Sequence, residues 1–399
     1  MTGANGSLAG VRVLEAGQLL AGPFAATLMG DQGADVIKVE PPGVGDPMRA
    51  WGRTDGTSLW WPVVGRNKRS VTLNLREKEG QELFLRLVAE ADIVVENFRA
   101  GTFEKWGLGY EQLKAINPGI IMVRVSGYGQ TGPYASRAGY GSIGEAMGGL
   151  RYILGDADRQ PSRAGISIGD SLAAMHACVG ALSALRHRDQ TGQGQMIDAS
   201  IYESVLAMME SLVTEWDVAG YQRERTGAIL PNVAPSNVYP TKDGQLILIA
   251  ANQDTVFSRL ADAMGRPEWY APGHQYSTHV GRGKAQAELD DLISEWTATV
   301  VADELLDAMN TGGVPAGRIY KAADMLADPH FEARESIVQV PDATFGTLRM
   351  QNVVPKLSAT PGTIRWTGPS LGQHNDEVYG DLLGLDEAAR ADLLARGVI

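Results

Sequence analysis

The chain has 399 residues, 44% of them hydrophobic, enough for a large core and for two domains. Its formal net charge of −12 runs against nucleic acid as a partner, because phosphate binding normally shows as a basic excess. One cysteine excludes an internal disulfide; the polar start lacks the apolar stretch of a signal peptide, and no apolar run is read as reaching membrane-spanning length, so a soluble cytoplasmic protein is expected.

In chain order, residues 11–14 are apolar and β-prone, and 22–30 are rich in small residues and read as a helix. Strand signals follow at 36–39 and 71–75, a helical pattern at 78–91, and further strands at 93–95 and 120–125. This alternation predicts an α/β fold: a Rossmann-like large domain with a mostly parallel sheet and covering helices. Long helices are expected at 171–187 and 201–219, with a strand at 195–199 between them. The character changes after Tyr221. Residues 237–250 read as a hairpin turning at Lys242-Asp243-Gly244, and helical patterns follow at 255–264, 285–299 and 302–310. The expected division is a large domain over 1–220, a small α+β domain over 221–327, and a part from 328 to 399 that returns to the large domain. A polar helical tail is expected from Leu385.

Residues 49–76 hold Arg49, Arg53, Arg66, Lys68, Arg69 and Arg76 against one acid, Asp55, together with Trp51, Trp60 and Trp61. Cations suit phosphates and aromatic rings suit a base, so the stretch is either a site for a phosphorylated nucleotide or a solvated basic loop. Gly127-Tyr-Gly129-Gln-Thr-Gly132 and Gly139-Tyr-Gly141-Ser-Ile-Gly144 fit a dinucleotide-binding string. Both are read as turns, because neither has the uninterrupted helix and acidic ribose partner that string needs. Gly165-Ile-Ser167-Ile-Gly169 fits a nucleophile-elbow string but lacks the strand that must enter it. The six histidines fall in no chelating pattern, so no metal is expected. Cys178 reads as a buried structural thiol. Glu40 and Glu96 each close a strand, where α/β proteins place ligands, although either could be an ordinary ion-pair partner.

Asp170 follows Gly169 and opens a helical run. Locally it reads as an N-cap, its side-chain oxygen accepting from free helix N–H groups. Small flanking residues leave room for a substrate, and a held, desolvated carboxylate can act as a covalent nucleophile.

Several stretches together resemble the class III coenzyme A transferases, the formyl-CoA and carnitine CoA-transferase family. They are Leu14-Glu-Ala-Gly-Gln-Leu-Leu-Ala-Gly-Pro-Phe-Ala-Ala26, Gly33-Ala-Asp-Val-Ile-Lys-Val-Glu-Pro-Pro-Gly-Val-Gly-Asp46, Asn67-Lys-Arg-Ser70, Val95-Glu-Asn-Phe98, Ser126-Gly-Tyr-Gly-Gln-Thr-Gly-Pro133, Gly169-Asp170 and Leu371-Gly-Gln-His374. The resemblance implies that Asp170 is the nucleophile, passing through an aspartyl anhydride and an aspartyl-CoA thioester. It places CoA contacts on Leu73, Arg76, Asn97, Phe98 and Lys105, with Arg137 near the pantetheine arm. It implies acyl-CoA and a carboxylate as substrates, no permanently bound cofactor, and a ring-shaped subunit in an interlocked homodimer.

The segments from Gly144 to Arg151, Arg225 to Pro231 and Ala234 to Thr241 look most like members that move CoA from succinyl-CoA to malate or citramalate. Arg151, Arg163 and Arg225 are candidates for a second substrate carboxylate. The chain departs from some members at Leu20, where they carry glutamine, at Ala138, where they carry lysine, and in lacking a glycine run over the nucleophile. Two rivals remain. An α-methylacyl-CoA racemase would need a histidine where Tyr140 stands, and a silent CoA-binding protein would not need Asp170.

Overall fold

The computed structural model describes residues 6–52 and 58–399. Arg53 and Asp55 of the basic stretch lie outside the described residues. Two compact units are present. The larger comprises the chain up to Arg151, Ala164–Glu215 and Glu332–Ile399; the smaller comprises Tyr152–Arg163 and Trp216–Phe331.

The larger unit is built on six parallel strands: β1 (Arg12–Glu15), β2 (Asp35–Glu40), β3 (Lys68–Thr72), β4 (Ile93–Glu96), β5 (Ile121–Ser126) and β6 (Met196–Ser200). Their order, β3-β2-β1-β4-β5-β6, is that of a doubly wound dinucleotide-type sheet. Runs such as Ile93-Val-Val95 and Ile121-Met-Val123 are fully buried, as expected for strands covered on both faces. Chain order reverses between β1 and β4, so the loops after these strands part and leave a crevice at their carboxyl ends.

β3 begins at Lys68, three residues before the expected strand. The polar start obscured it, because Lys68 is a buried strand residue whose ammonium meets Glu15 at 3.0 Å. The expected helix at 171–187 begins earlier and ends later, as Ile168–Thr191. The expected helix at 201–219 is two, Ile201–Leu206 and Leu212–Ala219, separated where Glu210 takes the left-handed conformation at φ 53°.

Helix Ile168–Thr191 contains an 18-residue window of mean hydropathy 1.4, so an apolar run of membrane-spanning length does occur, contrary to the sequence reading. Here it serves the core of the larger unit. Ala173, Ala174, Ala177, Ala181 and Ala184 are buried, and small side chains let the helix lie close against helix Ala21–Asp31, β5 and β6.

Within the smaller unit, β7 (Ser236–Pro240), β8 (Leu246–Ala250) and β9 (Ala316–Arg318) form an antiparallel sheet. Helices Asp254–Ala263, Gln286–Thr297 and Ala302–Gly312 accompany it, and Tyr239, Ile247, Phe257, Leu260, Leu289 and Leu305 fill its core. The expected turn is present, with Gly244 at φ 73°. After Phe331 the chain rejoins the larger unit: β10 (Ile337–Asp342) and β11 (Gly346–Gln351) form a hairpin. His374 and Asn375 then dock on β3 through the Ser70 and Thr72 backbones. The terminal Val398 and Ile399 enter the core beside Leu73 and Phe84.

Candidate active site

The carboxyl ends of β1, β2, β3 and β4 meet around a small pocket of about 100 Å³ that opens to solvent. Gln18 follows β1, Glu40 ends β2, Leu73, Asn74 and Arg76 follow β3, and Phe98 follows β4; Trp106 completes the wall. The topological crevice and the pocket therefore coincide.

Leu73, Arg76 and Phe98 all line this pocket. Leu73 is buried, whereas Arg76 is exposed at the rim. Phe98 stacks on Phe103 at 5.6 Å between ring centroids and meets the edge of Trp106 at 5.2 Å, an aromatic wall suited to a flat ring. Asn97 is bonded to a pocket-lining residue. Its Oδ1 accepts from the Gln18 N–H at 2.7 Å and its Nδ2 donates to the Gln18 carbonyl at 2.7 Å, so its side chain clamps the loop after β1. Lys105 is exposed at the end of the short helix Thr102–Lys105 and is not among the lining residues. Arg137 is exposed in a separate loop, its guanidinium 3.7 Å over the Tyr134 ring.

Four of the described cations of the basic stretch are paired with carboxylates. Arg49 grips Glu40 with two bonds of 2.7 Å, Arg66 pairs with Asp31 at 2.6 Å, and Arg69 pairs with Asp35 at 2.6 Å. Lys38 meets Glu15 at 2.8 Å and Asp46 at 2.7 Å. Burial alone would lower the Lys38 ammonium, but Asp46, Glu15 and Glu40 outweigh it and hold it above its usual range. Trp61 is buried beneath Arg49, 3.8 Å from the guanidinium to the ring. Cations that the sequence presents as a patch are thus largely held in ion pairs, Arg49 and Lys68 at the carboxyl ends of β2 and β1, and Arg66 and Arg69 at the end of helix Ala21–Asp31 and the start of β2. Among the stretch's described cations, Arg76 is the one that reaches the pocket.

Glu96 carries the loop of Phe98. Its Oε2 accepts the Phe98 N–H at 2.7 Å and its Oε1 accepts from Arg124 Nε at 2.7 Å. Burial pushes this carboxyl up to about 7 against the pull of Arg124. Arg124 continues to Glu104 at 2.6 Å, tying the helix that ends in Lys105 to the same anchor.

Asp170 stands at the first turn of helix Ile168–Thr191. The N-cap position belongs to Ser167, and Asp170 is the third helical residue, which corrects the capping role read from the sequence. The helix dipole still favours an anion in this turn. This helix feeds β6 through a short loop and packs on β5 and β6. Its C-terminus therefore lies at the start of β6, and its N-terminus rises toward the carboxyl ends of the strands. At 1.5 Å per residue, 24 residues span about 36 Å, roughly twice a five-residue strand, so Asp170 is lifted past the sheet edge.

What lies against the carboxylate was missed in sequence. Gly139-Tyr-Gly141-Ser-Ile-Gly144 is not only a turn: Gly141–Met147 is a helix that packs on helices Ile168–Thr191 and Ile201–Leu206. A Cβ on Gly141 would fall 2.1 Å from Asp170 Oδ2 and 2.7 Å from its Cγ. Only glycine lets the carboxylate rest there. The signal was available as glycines at spacing three, which permit close helix approach. Tyr140, next to it, is 72% exposed.

Of the candidate arginines, Arg151 donates from Nε to Glu145 at 2.7 Å. Arg225 donates to the Tyr152 carbonyl at 2.9 Å, and Arg163 lies exposed in the smaller unit. Cys178 is a partly buried thiol pushed up to about 11 by burial. No group of three or more His, Cys, Asp or Glu side chains gathers as metal ligands among the described residues.

Known proteins share this arrangement. The profile of CoA-transferase family III matches residues 8–375. A succinyl-CoA–D-citramalate CoA-transferase of Chloroflexus aurantiacus is 61% identical over 98% of this chain and 97% of its own. The β subunit of a succinyl-CoA–L-malate CoA-transferase from the same organism is 43% identical over 98% of each chain. In three dimensions, a CAIB/BAIF family protein from Brucella suis superimposes with a TM-score of 0.83 at 35% identity, over 95% of this chain and all of that one. The chain belongs to CoA-transferase family III and is a CoA-transferase, an enzyme whose substrates are CoA thioesters and which needs no permanently bound cofactor.

Proposed function

We propose that this enzyme moves CoA from succinyl-CoA to a hydroxylated dicarboxylate of the citramalate or malate type, with Asp170 as the nucleophile. The observation that carries the reading is the Asp170 carboxylate, seated over Gly141 in the first turn of its helix, in a chain 61% identical to a D-citramalate transferase. Asp170 adds to the thioester carbonyl, the C–S bond breaks, and CoA leaves as thiolate. The thiolate attacks the aspartyl carbonyl of the resulting anhydride and expels succinate, leaving an aspartyl-CoA thioester. The acceptor carboxylate attacks that thioester and releases thiolate again. The thiolate then takes the acceptor's acyl carbon and returns Asp170 as a carboxylate. Two covalent stages separate donor from acceptor, so the kinetics are ping-pong in form.

The pocket at the strand ends receives the nucleotide end of CoA, with Leu73 and Phe98 flanking the base and Arg76 and Lys105 addressing phosphates. Asn97 serves by holding the loop after β1, and Arg137 stands near the pantetheine arm. Arg151 is the candidate for a second acceptor carboxylate that hydrogen bonds connect to the nucleophile's helix. The subunit works as an interlocked homodimer.

Purified protein given succinyl-CoA and a panel of D-citramalate, L-malate, glutarate and acetate should yield the citramalyl or malyl thioester in preference to the others. Transfer to glutarate or acetate in preference to both hydroxy acids would overturn the proposed acceptor class.

A further inference from the structure

Glu145 lies on helix Gly141–Met147, one turn after the glycine that supports Asp170, and only 1% of its surface is exposed. Its Oε1 accepts the backbone N–H of Gly169 at 3.2 Å, and its Oε2 accepts from Arg151 Nε at 2.7 Å. Gly169 is the residue immediately before the nucleophile. A Cβ there would meet Glu145 Cγ at 2.9 Å and the Gly141 carbonyl at 3.0 Å, so the two helices touch at this point. A buried carboxylate is costly unless paired, and Arg151 supplies the pair. A first-turn N–H has no partner within its own helix, and Glu145 supplies that one.

From this geometry we infer that Glu145 is a positioning residue for the transfer reaction. It pins the first turn of the Asp170 helix to helix Gly141–Met147 and so fixes where the nucleophilic carboxylate sits. Arg151 neutralises it there, 2.7 Å from Oε2, so that its charge is balanced beside the first turn of the Asp170 helix. The inference rests on Asp170 being the nucleophile.

The test is the rate of covalent trapping. Wild type, Glu145→Ala and Glu145→Gln are mixed with succinyl-CoA and quenched with hydroxylamine, and the label at residue 170 is quantified by peptide mass. Glu145→Ala should slow labelling roughly 100-fold, the scale of a misplacement of about 1 Å, while KM for succinyl-CoA changes little. Glu145→Gln keeps an oxygen acceptor for Gly169 and should recover most of the rate. Labelling of Glu145→Ala at the wild-type rate would overturn the inference. So would a Gln variant no better than Ala, or losses shared equally by KM and trapping, which mark a general folding defect. Absence of label at residue 170 in wild type would instead overturn the nucleophile on which the inference stands.

Discussion

At the scale of single residues, the larger unit places two carboxylates in unequal surroundings. Asp170 stays half-exposed at a helix start, where a substrate can reach it. In the proposed mechanism Asp170→Ala removes the group that forms every covalent intermediate, so transfer should fall by roughly 10⁴-fold or more with unchanged folding by circular dichroism. Near-normal turnover would end the assignment. Glu96 is the opposite case, sealed under the pocket wall. Unfolded, it ionises near 4.5; folded, burial holds it to about 7. Between those values the unfolded chain has shed a proton that the folded one keeps. Stability from this group is therefore fullest below about pH 4.5 and is lost as pH climbs toward 7. Glu96→Gln cannot ionise and should flatten that part of the slope, measured by urea unfolding in steps across the window. An unchanged slope would show that Arg124 keeps Glu96 ionised throughout. In the proposed binding mode Arg76 meets a CoA phosphate at the pocket rim, away from the reacting carbonyl. Arg76→Ala should raise KM for succinyl-CoA about five-fold, the upper range for one exposed ion pair, with kcat nearly unchanged and the effect fading at high salt. A donor truncated to the pantetheine arm should feel no loss; equal slowing of both donors would detach Arg76 from the nucleotide end.

At the scale of elements, what could be read in sequence follows from which forces act locally. The parallel strands announced themselves, because a strand buried on both faces needs an unbroken apolar run such as Ile93-Val-Val95. The hairpin at Gly244 and the three helices of the smaller unit were equally plain, each having its own turn or periodicity. Elements whose logic is tertiary were not. β3 opens with Lys68-Arg-Ser70, and nothing nearby in sequence reveals that Glu15 on β1 and Asp35 on β2 wait to receive the two cations. Nor does the stretch from Arg49 reveal in sequence that four of its cations meet carboxylates while Arg76 reaches the pocket. Helix Gly141–Met147 was hidden because glycine weakens local helical signal while permitting the close approach that the site uses. Asp170 stands out in sequence through the motif around it; its contacts with Gly141 and, through Gly169, Glu145 do not, since they exist only once two helices are brought together.

At the scale of the whole molecule, helix Ile168–Thr191 leaves something unsatisfied. Its inner face is sealed by alanines, yet Met175, Val179 and Leu182 stand 54%, 61% and 44% exposed. These three follow i, i+4, i+7 spacing and form one stripe. Ile143 and Met147 on helix Gly141–Met147, and Met208 beyond helix Ile201–Leu206, are open as well. A helix that is apolar all round belongs in a core, and each such side chain gains about 1.5–3 kcal/mol when fully covered. A second copy of the chain is the cover that the proposed interlocked homodimer provides. The two malate-transferase relatives are named as α and β subunits, so a different partner is the natural alternative. Light scattering on the chain purified alone should therefore give twice 42.7 kDa down to micromolar concentration. Val179→Glu places a charge in the middle of the stripe and should shift the protein toward monomer, with activity falling in step. An active wild-type particle of 42.7 kDa would refute the dimer, and a monomer that gains activity only with a second polypeptide would replace it with a heteromer.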